Sequence, residues 1–347
     1  MIRPQAILIV VLLLPFQQLG AQSKNQDRNV KIKVPIAWVD EVRNYDFKQN
    51  NTTLIKAFES FIHPDSLVGS DAYSHEEGGI FNPFFVDLDG DQKAELIALF
   101  GWSESYPTLA VFKQIDHDWF LLYFEPFYMF YNEPELQIAN SFSKNKTFYI
   151  RWLYERGSGI YCDAYHFYKI LNNRVYPCLE LINKAHIFGW GLYLNQTVEM
   201  DFKFNCVTSD DLFVSYRYNF FPGAVYESDL LWNGHEDISF VKGENGINYQ
   251  WDTVSNTYRP QVYDRQEALT EEKISCFGAF GNDTLFVRAF DYEIHQTLET
   301  GTLEQKTLLQ KYLELVKKEH KAVAPAGEME EKVKIGDLKF YDIKKKE

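Results

Sequence analysis

Short runs of aromatic and β-branched residues, separated by turn residues, extend through the sequence from about residue 81 to residue 298. Such side chains pack well on a pleated surface, so runs of this kind are typical of β-strands. The chain also contains 28 Phe and 22 Tyr among 347 residues, which favours sheet. The predicted strands include residues 84–87, 95–100, 108–113, 119–124, 148–154, 161–170, 175–179, 212–218, 238–241, 247–251 and 285–290. They predict an all-β, mainly antiparallel fold, either β-propeller-like or a meander of several sheets, with flanking helices at both ends.

A weak internal repeat favours the propeller. Four segments join a polar turn to an apolar strand pattern, and they begin at Asp91, Asn145, Asp210 and Asn282. Their spacing of about 55 to 72 residues is longer than the roughly 40 to 50 residues of a propeller blade. The alternative is that the four segments look alike only because all of them are aromatic strands of one meander. The spacing does not decide between a true repeat and this chance likeness.

Two helices are predicted to flank the β-rich region. Residues 52–62 place apolar side chains on one helical face, after threonines that suit a helix N-cap. Residues 302–321 have the same periodicity, and Thr302 with Gln305 matches the reciprocal capping pattern. We expect the second helix to pack its apolar stripe on the sheet. The stripe consists of Leu309, Tyr312, Leu313 and Val316.

The first residues have the pattern of a secretory signal peptide. Arg3 precedes an apolar run at residues 7–16, and small residues up to Ala21 end the pattern. The run is shorter than the about 20 apolar residues of a transmembrane helix. We therefore expect an exported protein, periplasmic or secreted, with no membrane span in the mature chain. An uncleaved N-terminal anchor is the alternative.

The patterns divide the chain into five segments. Its composition is globular, with 46% hydrophobic and 24% charged residues. The length suits one large domain or two small ones. The segments are a signal peptide at 1–21, an N-terminal segment with a short helix at 22–80, a β-rich domain at 81–300, a packing helix at 301–321, and a linker with a tail at 322–347.

The charge balance argues against one class of partner. The 35 Lys and Arg residues are outnumbered by 49 Asp and Glu residues, which gives a net charge of -14. A protein that binds nucleic acid needs a basic surface for the phosphates. The basic run at residues 344–346 is too short for that, so we expect no nucleic-acid partner.

The four cysteines have no C-x-x-C spacing, which argues against a zinc or thioredoxin-type site. An oxidising compartment permits disulfides, and four cysteines allow three pairings. Buried thiols are an equal alternative, because each cysteine has an apolar or aromatic neighbour. The cysteines are Cys162, Cys178, Cys206 and Cys276.

One segment has a pattern typical of a metal site. Asp87, Asp89, Asp91 and Glu95 occupy positions 1, 3, 5 and 9 of a short loop that contains Gly90. Calcium prefers about six to eight hard oxygen ligands, and alternate carboxylates on a tight turn supply them. The flanking residues are strand-like, so the loop is not an EF-hand, which has a helix on each side. The alternative is a solvated acidic turn, because Asp and Gly are good turn formers.

The segment resembles the calcium loop of FG-GAP (integrin-α-like) and VCBS-type propeller blades, whose pattern is D-x-D-G-D-G-x-x-D. The resemblance covers about twenty residues. It implies a propeller-like fold in which Asp87, Asp89, Asp91 and Glu95 bind Ca²⁺. The sixth position is Gln92 where the family has glycine, and a glycine there indicates a backbone with positive φ.

Three functions are compatible with these patterns. The first is an extracytoplasmic binding or structural protein, stabilised by calcium, with an unknown protein or glycan partner. The second is a secreted hydrolase acting on glycans, suggested by abundant carboxylates and by Trp190, Trp232, Trp251 and Tyr258 as an aromatic platform. The third is a protein–protein adaptor that uses the C-terminal helix. No motif identifies a catalytic residue, so we prefer the first; the oligomeric state is left open.

Overall fold

The computed structural model describes most of the chain between residues 28 and 323. The described residues are 28–46, 52–61, 80–101, 108–127, 136–139, 142–157, 159–188, 194–223, 238–261, 268–279 and 283–323. The predicted signal peptide at 1–21 and residues 324–347 of the predicted linker and tail lie outside them.

Antiparallel strands dominate the described residues and form two sheets. The aromatic and β-branched runs of the sequence supply most of these strands. The strands are β1 (Asn29–Val34), β2 (Ile80–Val86), β3 (Glu95–Gly101), β4 (Thr108–Ile115), β5 (Asp118–Pro126), β6 (Gln137–Ile138), β7 (Thr147–Gly157), β8 (Ile160–Leu171), β9 (Arg174–Ile187), β10 (Leu194–Phe204), β11 (Asp211–Pro222), β12 (Val241–Asp252) and β13 (Thr257–Gln261).

The first sheet has five strands in the order β1-β5-β4-β3-β2. Strands β2 to β5 form an up-and-down meander, and β1 pairs with the free edge of β5. The helices α1 (Ile36–Arg43) and α2 (Thr52–Glu59) cover one face of this sheet. Trp38 of α1 and Phe58 of α2 both pack on Phe112 of β4, with ring centroids 5.2 and 5.9 Å from that of Phe112.

The second sheet has eight strands that follow one another in chain order from β6 to β13. One of its faces packs under four C-terminal helices and forms the largest hydrophobic core. Tyr312 of the last helix contacts Phe240 with ring centroids 5.4 Å apart, and Leu309 is fully buried nearby. The helices are α3 (Glu271–Ile274), α4 (Asp283–Ala289), α5 (Asp291–Thr300) and α6 (Leu303–Val323).

The remaining faces of the two sheets pack against each other. Their shared core includes Val111 and Tyr123 from the first sheet and Phe148 and Tyr168 from the second. The Tyr123 and Tyr168 rings meet edge to face, with centroids 6.1 Å apart. The molecule therefore has four layers, in the order helices, sheet, sheet, helices.

The mainly antiparallel, multi-sheet class is confirmed, whereas a propeller ring is not shown, because neither sheet of the described residues closes on itself. Strand β1 lies in a segment for which only a short helix was predicted. Among the helices that the structure describes, none has the length and apolar character needed to cross a membrane.

The strand predicted at residues 285–290 is wrong, because this segment forms helix α4 and the residue that follows it. Its aromatic and β-branched residues suggested a strand. Phe286, Val287 and Phe290 instead place their side chains on one helical face and bury it in the core beneath the second sheet. The last of the four proposed repeats therefore contains no strand, which removes one argument for a propeller.

Both flanking helices are confirmed. Thr302 and Gln305 form the predicted reciprocal cap of α6: the Thr302 N–H donates to Gln305 Oε1 at 2.9 Å, and the Gln305 N–H donates to Thr302 Oγ1 at 3.2 Å. Leu309, Tyr312 and Val316 of the predicted stripe are buried in the core. The apolar stripe is thus used for packing within the molecule.

We predict that Leu309→Ala lowers the free energy of unfolding by about 2–5 kcal/mol, because it leaves a cavity in a closely packed core. The matched control is Leu303→Ala in the same helix, since the Leu303 side chain is 83% exposed. The control should change stability by less than about 0.5 kcal/mol. Urea unfolding of both variants measures this, and equal effects would contradict the packing role of α6.

Candidate cation site

The acidic loop, residues 87–95, joins β2 to β3 in the first sheet. Its backbone turns sharply, with φ of 72° at Gly90 and 69° at Gln92. Asp87 holds this turn: its Oδ1 accepts from the Gly90 N–H at 2.7 Å and its Oδ2 from the Gln92 N–H at 3.2 Å. Gln92 therefore lies in the left-handed region, where glycine is the favoured residue.

A lysine ammonium lies at the centre of the loop. Lys113 Nζ donates to Glu95 Oε1 at 2.8 Å, to Asp91 Oδ2 at 2.9 Å and to Asp89 Oδ2. Lys113 belongs to β4, and Leu96 pairs with Phe112 in the β3–β4 ladder. Glu95 and Lys113 are the next residues along each strand, so the sheet register brings them together.

The inner part of this cluster is shielded from water. The Glu95 side chain is 0% exposed, and that of Lys113 is 5% exposed. The second oxygen of Glu95 accepts from the Leu88 N–H at 2.8 Å. Asp89 Oδ1 is buried and has no hydrogen-bond partner among the described residues. Asp91 lies at the outer end, with its side chain 38% exposed.

The pKa values reflect a competition between burial and pairing. Burial disfavours the charged form of Lys113, but its hydrogen bonds to the carboxylates outweigh this and raise the pKa of Lys113 above its ordinary value. Burial raises the pKa of Glu95, although Lys113 and the Leu88 N–H oppose the shift. Burial also opposes ionisation of Asp91, yet Lys113 and the Lys93 N–H lower the pKa of Asp91. The lysine therefore stays an ammonium ion at neutral pH.

The acidic loop also contacts the second sheet. The Lys146 N–H, just before β7, donates to the Leu88 carbonyl oxygen at 2.7 Å. A Cβ at Gly90 would lie 2.7 Å from the Cβ of Lys144, so only glycine allows this approach. The Leu88 side chain is fully buried in the core between the two sheets. The loop is thus part of the junction between the sheets.

The structure brings the four predicted ligands together as two overlapping groups of three. Asp87, Asp89 and Glu95 offer ligand atoms that all lie within 4.8 Å of one another. Asp91 joins Asp89 and Glu95 through Lys113. Sequence reasoning missed Lys113. The signal available was a lysine directly after the apolar run 109–112, in the strand that follows the one beginning with Glu95.

A second polar cluster lies where β5 meets the second sheet. Glu125 accepts from Arg28, from the Tyr123 hydroxyl at 2.6 Å and from the Tyr168 hydroxyl at 3.1 Å. Burial raises the pKa of Glu125, against the opposing effect of Arg28 and the two tyrosines. The Tyr168 bond crosses from one sheet to the other.

A hydrogen-bond relay lies on the same face of the second sheet. The Tyr154 hydroxyl donates to Glu180 and meets His166 Nε2 at 2.6 Å. Burial lowers the pKa of His166 to about 3, so its ring is neutral at neutral pH. The Trp152 ring stacks on that of His166 with centroids 3.6 Å apart. The Trp152 ring also stacks on the Phe127 ring, with centroids 5.5 Å apart. The Trp152 Nε1 atom is buried and has no hydrogen-bond partner in the described part of the chain.

The proposed aromatic platform is found only in part. Trp190 and Trp232 lie outside the described residues. Trp251 and Tyr258 pack edge to face at 5.4 Å and enclose the ammonium of Lys169, which lies 4.2 and 5.3 Å from their ring centroids. Lys169 also pairs with Asp210 at 2.8 Å. These rings are occupied by an internal cation.

All four cysteines are thiols in this structure, and none forms a disulfide. Cys162, Cys178 and Cys276 are buried, whereas Cys206 is exposed. Burial raises the pKa of Cys178 and of Cys276, which disfavours the reactive thiolate.

Comparisons of the chain with protein-family models, with curated proteins and with solved structures found no match.

We predict that Gln92→Gly stabilises the protein by up to about 1 kcal/mol. A non-glycine residue in the left-handed region costs about 1–2 kcal/mol, and the flexibility of glycine in the unfolded chain offsets about 0.5–1 kcal/mol of the gain. The Gln92 N–H that bonds to Asp87 is retained in the variant. Chemical denaturation measures the difference.

The matched control is Lys93→Gly, because Lys93 is the exposed neighbour and is not among the residues with positive φ. It should lower stability by about 0.4–1 kcal/mol. Loss of stability in both variants would show that the backbone at Gln92 is not in the left-handed region.

Proposed function

We propose that this chain is an exported binding or structural protein in which the acidic loop is a cation-stabilised clamp between the two sheets. Calcium is the proposed ion, with Asp87, Asp89, Asp91 and Glu95 as its ligands. The observation that carries the proposal is the closure of carboxylates around one positively charged centre, in a loop that also contacts the segment just before β7.

The ligand chemistry supports a hard cation. Asp87, Asp89 and Glu95 supply only oxygen atoms, and these atoms lie within 4.8 Å of one another, which suits a shared hard ion. The buried Asp89 Oδ1 has no hydrogen-bond partner within the described residues, so it is available to an ion. Four carboxylates and one ammonium leave a net charge of about -3 when all are ionised, and such a site attracts divalent cations.

The strand order supports a blade-like unit. Propeller blades are four-stranded antiparallel sheets, and β2 to β5 form such a meander with the acidic loop between its first two strands. We propose that this sheet is a single unit of the FG-GAP or VCBS type. The eight-stranded sheet gives no support for a complete ring of blades.

The glycan hydrolase alternative has one candidate pair of acids, Glu125 and Glu180. Burial raises the pKa of Glu125, as expected for a general acid, whereas the Glu180 side chain is exposed. However, the adjacent Trp152 ring stacks on both His166 and Phe127, so it is used for packing within the molecule. The pair fits a hydrogen-bonded junction between the sheets better than a catalytic pair.

The adaptor alternative is also less well supported. The apolar stripe of α6 packs under the second sheet. Among the α6 side chains that the structure describes, Leu303 is the large apolar one that is exposed, and the other exposed ones are polar. We therefore retain an unidentified protein or glycan partner without assigning its surface.

We predict that millimolar Ca²⁺ raises the melting temperature of the metal-free protein by a few degrees. A ligand that binds only the native state stabilises it by about 2.7 kcal/mol at one hundred times its dissociation constant. Asp89→Asn should abolish most of the shift, because it removes a central ligand charge. Differential scanning fluorimetry in EDTA and in Ca²⁺ measures both.

The control variant is Asp116→Asn, which removes an exposed carboxylate in the turn between β4 and β5. Asn tolerates the φ of 56° found at this position. Its calcium-induced shift should equal that of the unmodified protein. An unchanged melting temperature of the unmodified protein at every Ca²⁺ concentration would refute the calcium assignment.

A further inference from the structure

Lys113 is placed as a bound cation would be. Its ammonium group has three N–H donors, and three carboxylates accept from it: Asp89, Asp91 and Glu95. The side chain is 5% exposed, so these bonds replace its contacts with water. The hydrogen-bonding capacity of the ammonium is therefore filled within the acidic loop.

An ammonium ion and a calcium ion cannot share this centre. Calcium approaches its oxygen ligands to about 2.3–2.6 Å and needs about six to eight of them. Three of the four proposed protein ligands already bind Lys113. Two cations held by the same carboxylates would also repel each other strongly in this poorly hydrated position.

We infer that the Lys113 ammonium is the resident cation of the acidic loop, and that a divalent cation enters only by displacing it. This inference rests on the proposed cation site and adds a built-in competitor to it. The protein carries its own counter-ion on β4, so the loop keeps its fold without metal. The price is a weaker affinity for calcium.

The exchange has a structural consequence for the sheet junction. Asp87 holds the turn through backbone N–H groups and does not contact Lys113, so it is a ligand free of the competitor. Glu95 anchors the other end through the Leu88 N–H. An ion that replaces the ammonium therefore finds the loop already closed, and the second sheet need not move.

The test compares the full chain with Lys113→Met, which removes the charge and retains an unbranched apolar side chain. Isothermal titration with CaCl₂ measures affinity, and thermal unfolding in EDTA and in Ca²⁺ measures stability. We expect Lys113→Met to bind Ca²⁺ at least tenfold more tightly than the unmodified protein. Its melting temperature should fall in EDTA and recover in Ca²⁺. Lys93→Met removes an exposed lysine of the same loop and should change the affinity less than twofold.

The Ca²⁺ affinities of the unmodified protein and of Lys113→Met together test this inference and the calcium proposal. Equal affinities of the unmodified protein and Lys113→Met would overturn the inference and leave the calcium proposal intact. Binding by Lys113→Met alone would support the inference and remove calcium as a ligand of the native chain. Absence of binding by both would overturn both.

If Lys113→Met does not fold in EDTA, circular dichroism follows the refolding of this variant by Ca²⁺. Refolding would support the inference, and failure to refold at any Ca²⁺ concentration would count against it.

A second variant tests the role of the charge. Lys113→Arg keeps the positive charge and should bind Ca²⁺ no more tightly than the unmodified protein. Tight binding by Lys113→Arg would contradict competition by charge.

Discussion

The pairing of one buried lysine ammonium with three carboxylates, of which Glu95 is fully buried, is the interaction on which the acidic loop depends. Glu95 and Lys113 are almost completely removed from water, and an isolated charge there would be strongly unfavourable. Removing one partner of such a buried pair costs about 3–5 kcal/mol, because the other charge is left without compensation. The cluster therefore fixes the register of β3 against β4 and the path of the acidic loop.

The same loop connects electrostatics to packing. Leu88 lies inside the core between the sheets, although its sequence neighbours Asp87 and Asp89 belong to the polar cluster. Gly90 allows the backbone to approach Lys144 closely, and Lys146 bonds to the loop backbone. The charge cluster and the contact between the sheets therefore lie in one short segment of the chain. Tyr168 with Glu125, and Asn29 with Val175, hold the same two layers together elsewhere.

The sequence predicted the elements whose patterns are local. Strands with aromatic and β-branched runs, the cap of α6 by Thr302 and Gln305, and the acidic loop all depend on neighbouring residues. It did not predict what depends on pairing between distant segments. The pattern at residues 285–290 predicts a strand where the structure has helix α4, because so short an apolar run fits both periodicities. The division into two sheets depends on which strands pair across the chain, and no local pattern specifies this.

The candidate site follows the same rule. Asp87, Asp89, Asp91 and Glu95 could be selected from their spacing, because alternate carboxylates on a tight turn are typical of a cation site. Lys113 could not be selected, because it lies 18 residues beyond Glu95 and meets it only through the β3–β4 register. Its position changes the interpretation of the loop, from an open set of ligands to a set already bound to an internal cation.

The most direct test of this account is a crystal structure of the protein grown in EDTA, at a resolution that locates the end of the Lys113 side chain. The account predicts electron density for Nζ within hydrogen-bonding distance of Asp89, Asp91 and Glu95. A Lys113 side chain that extends into solvent, with the three carboxylates separated or bound to water, would contradict it.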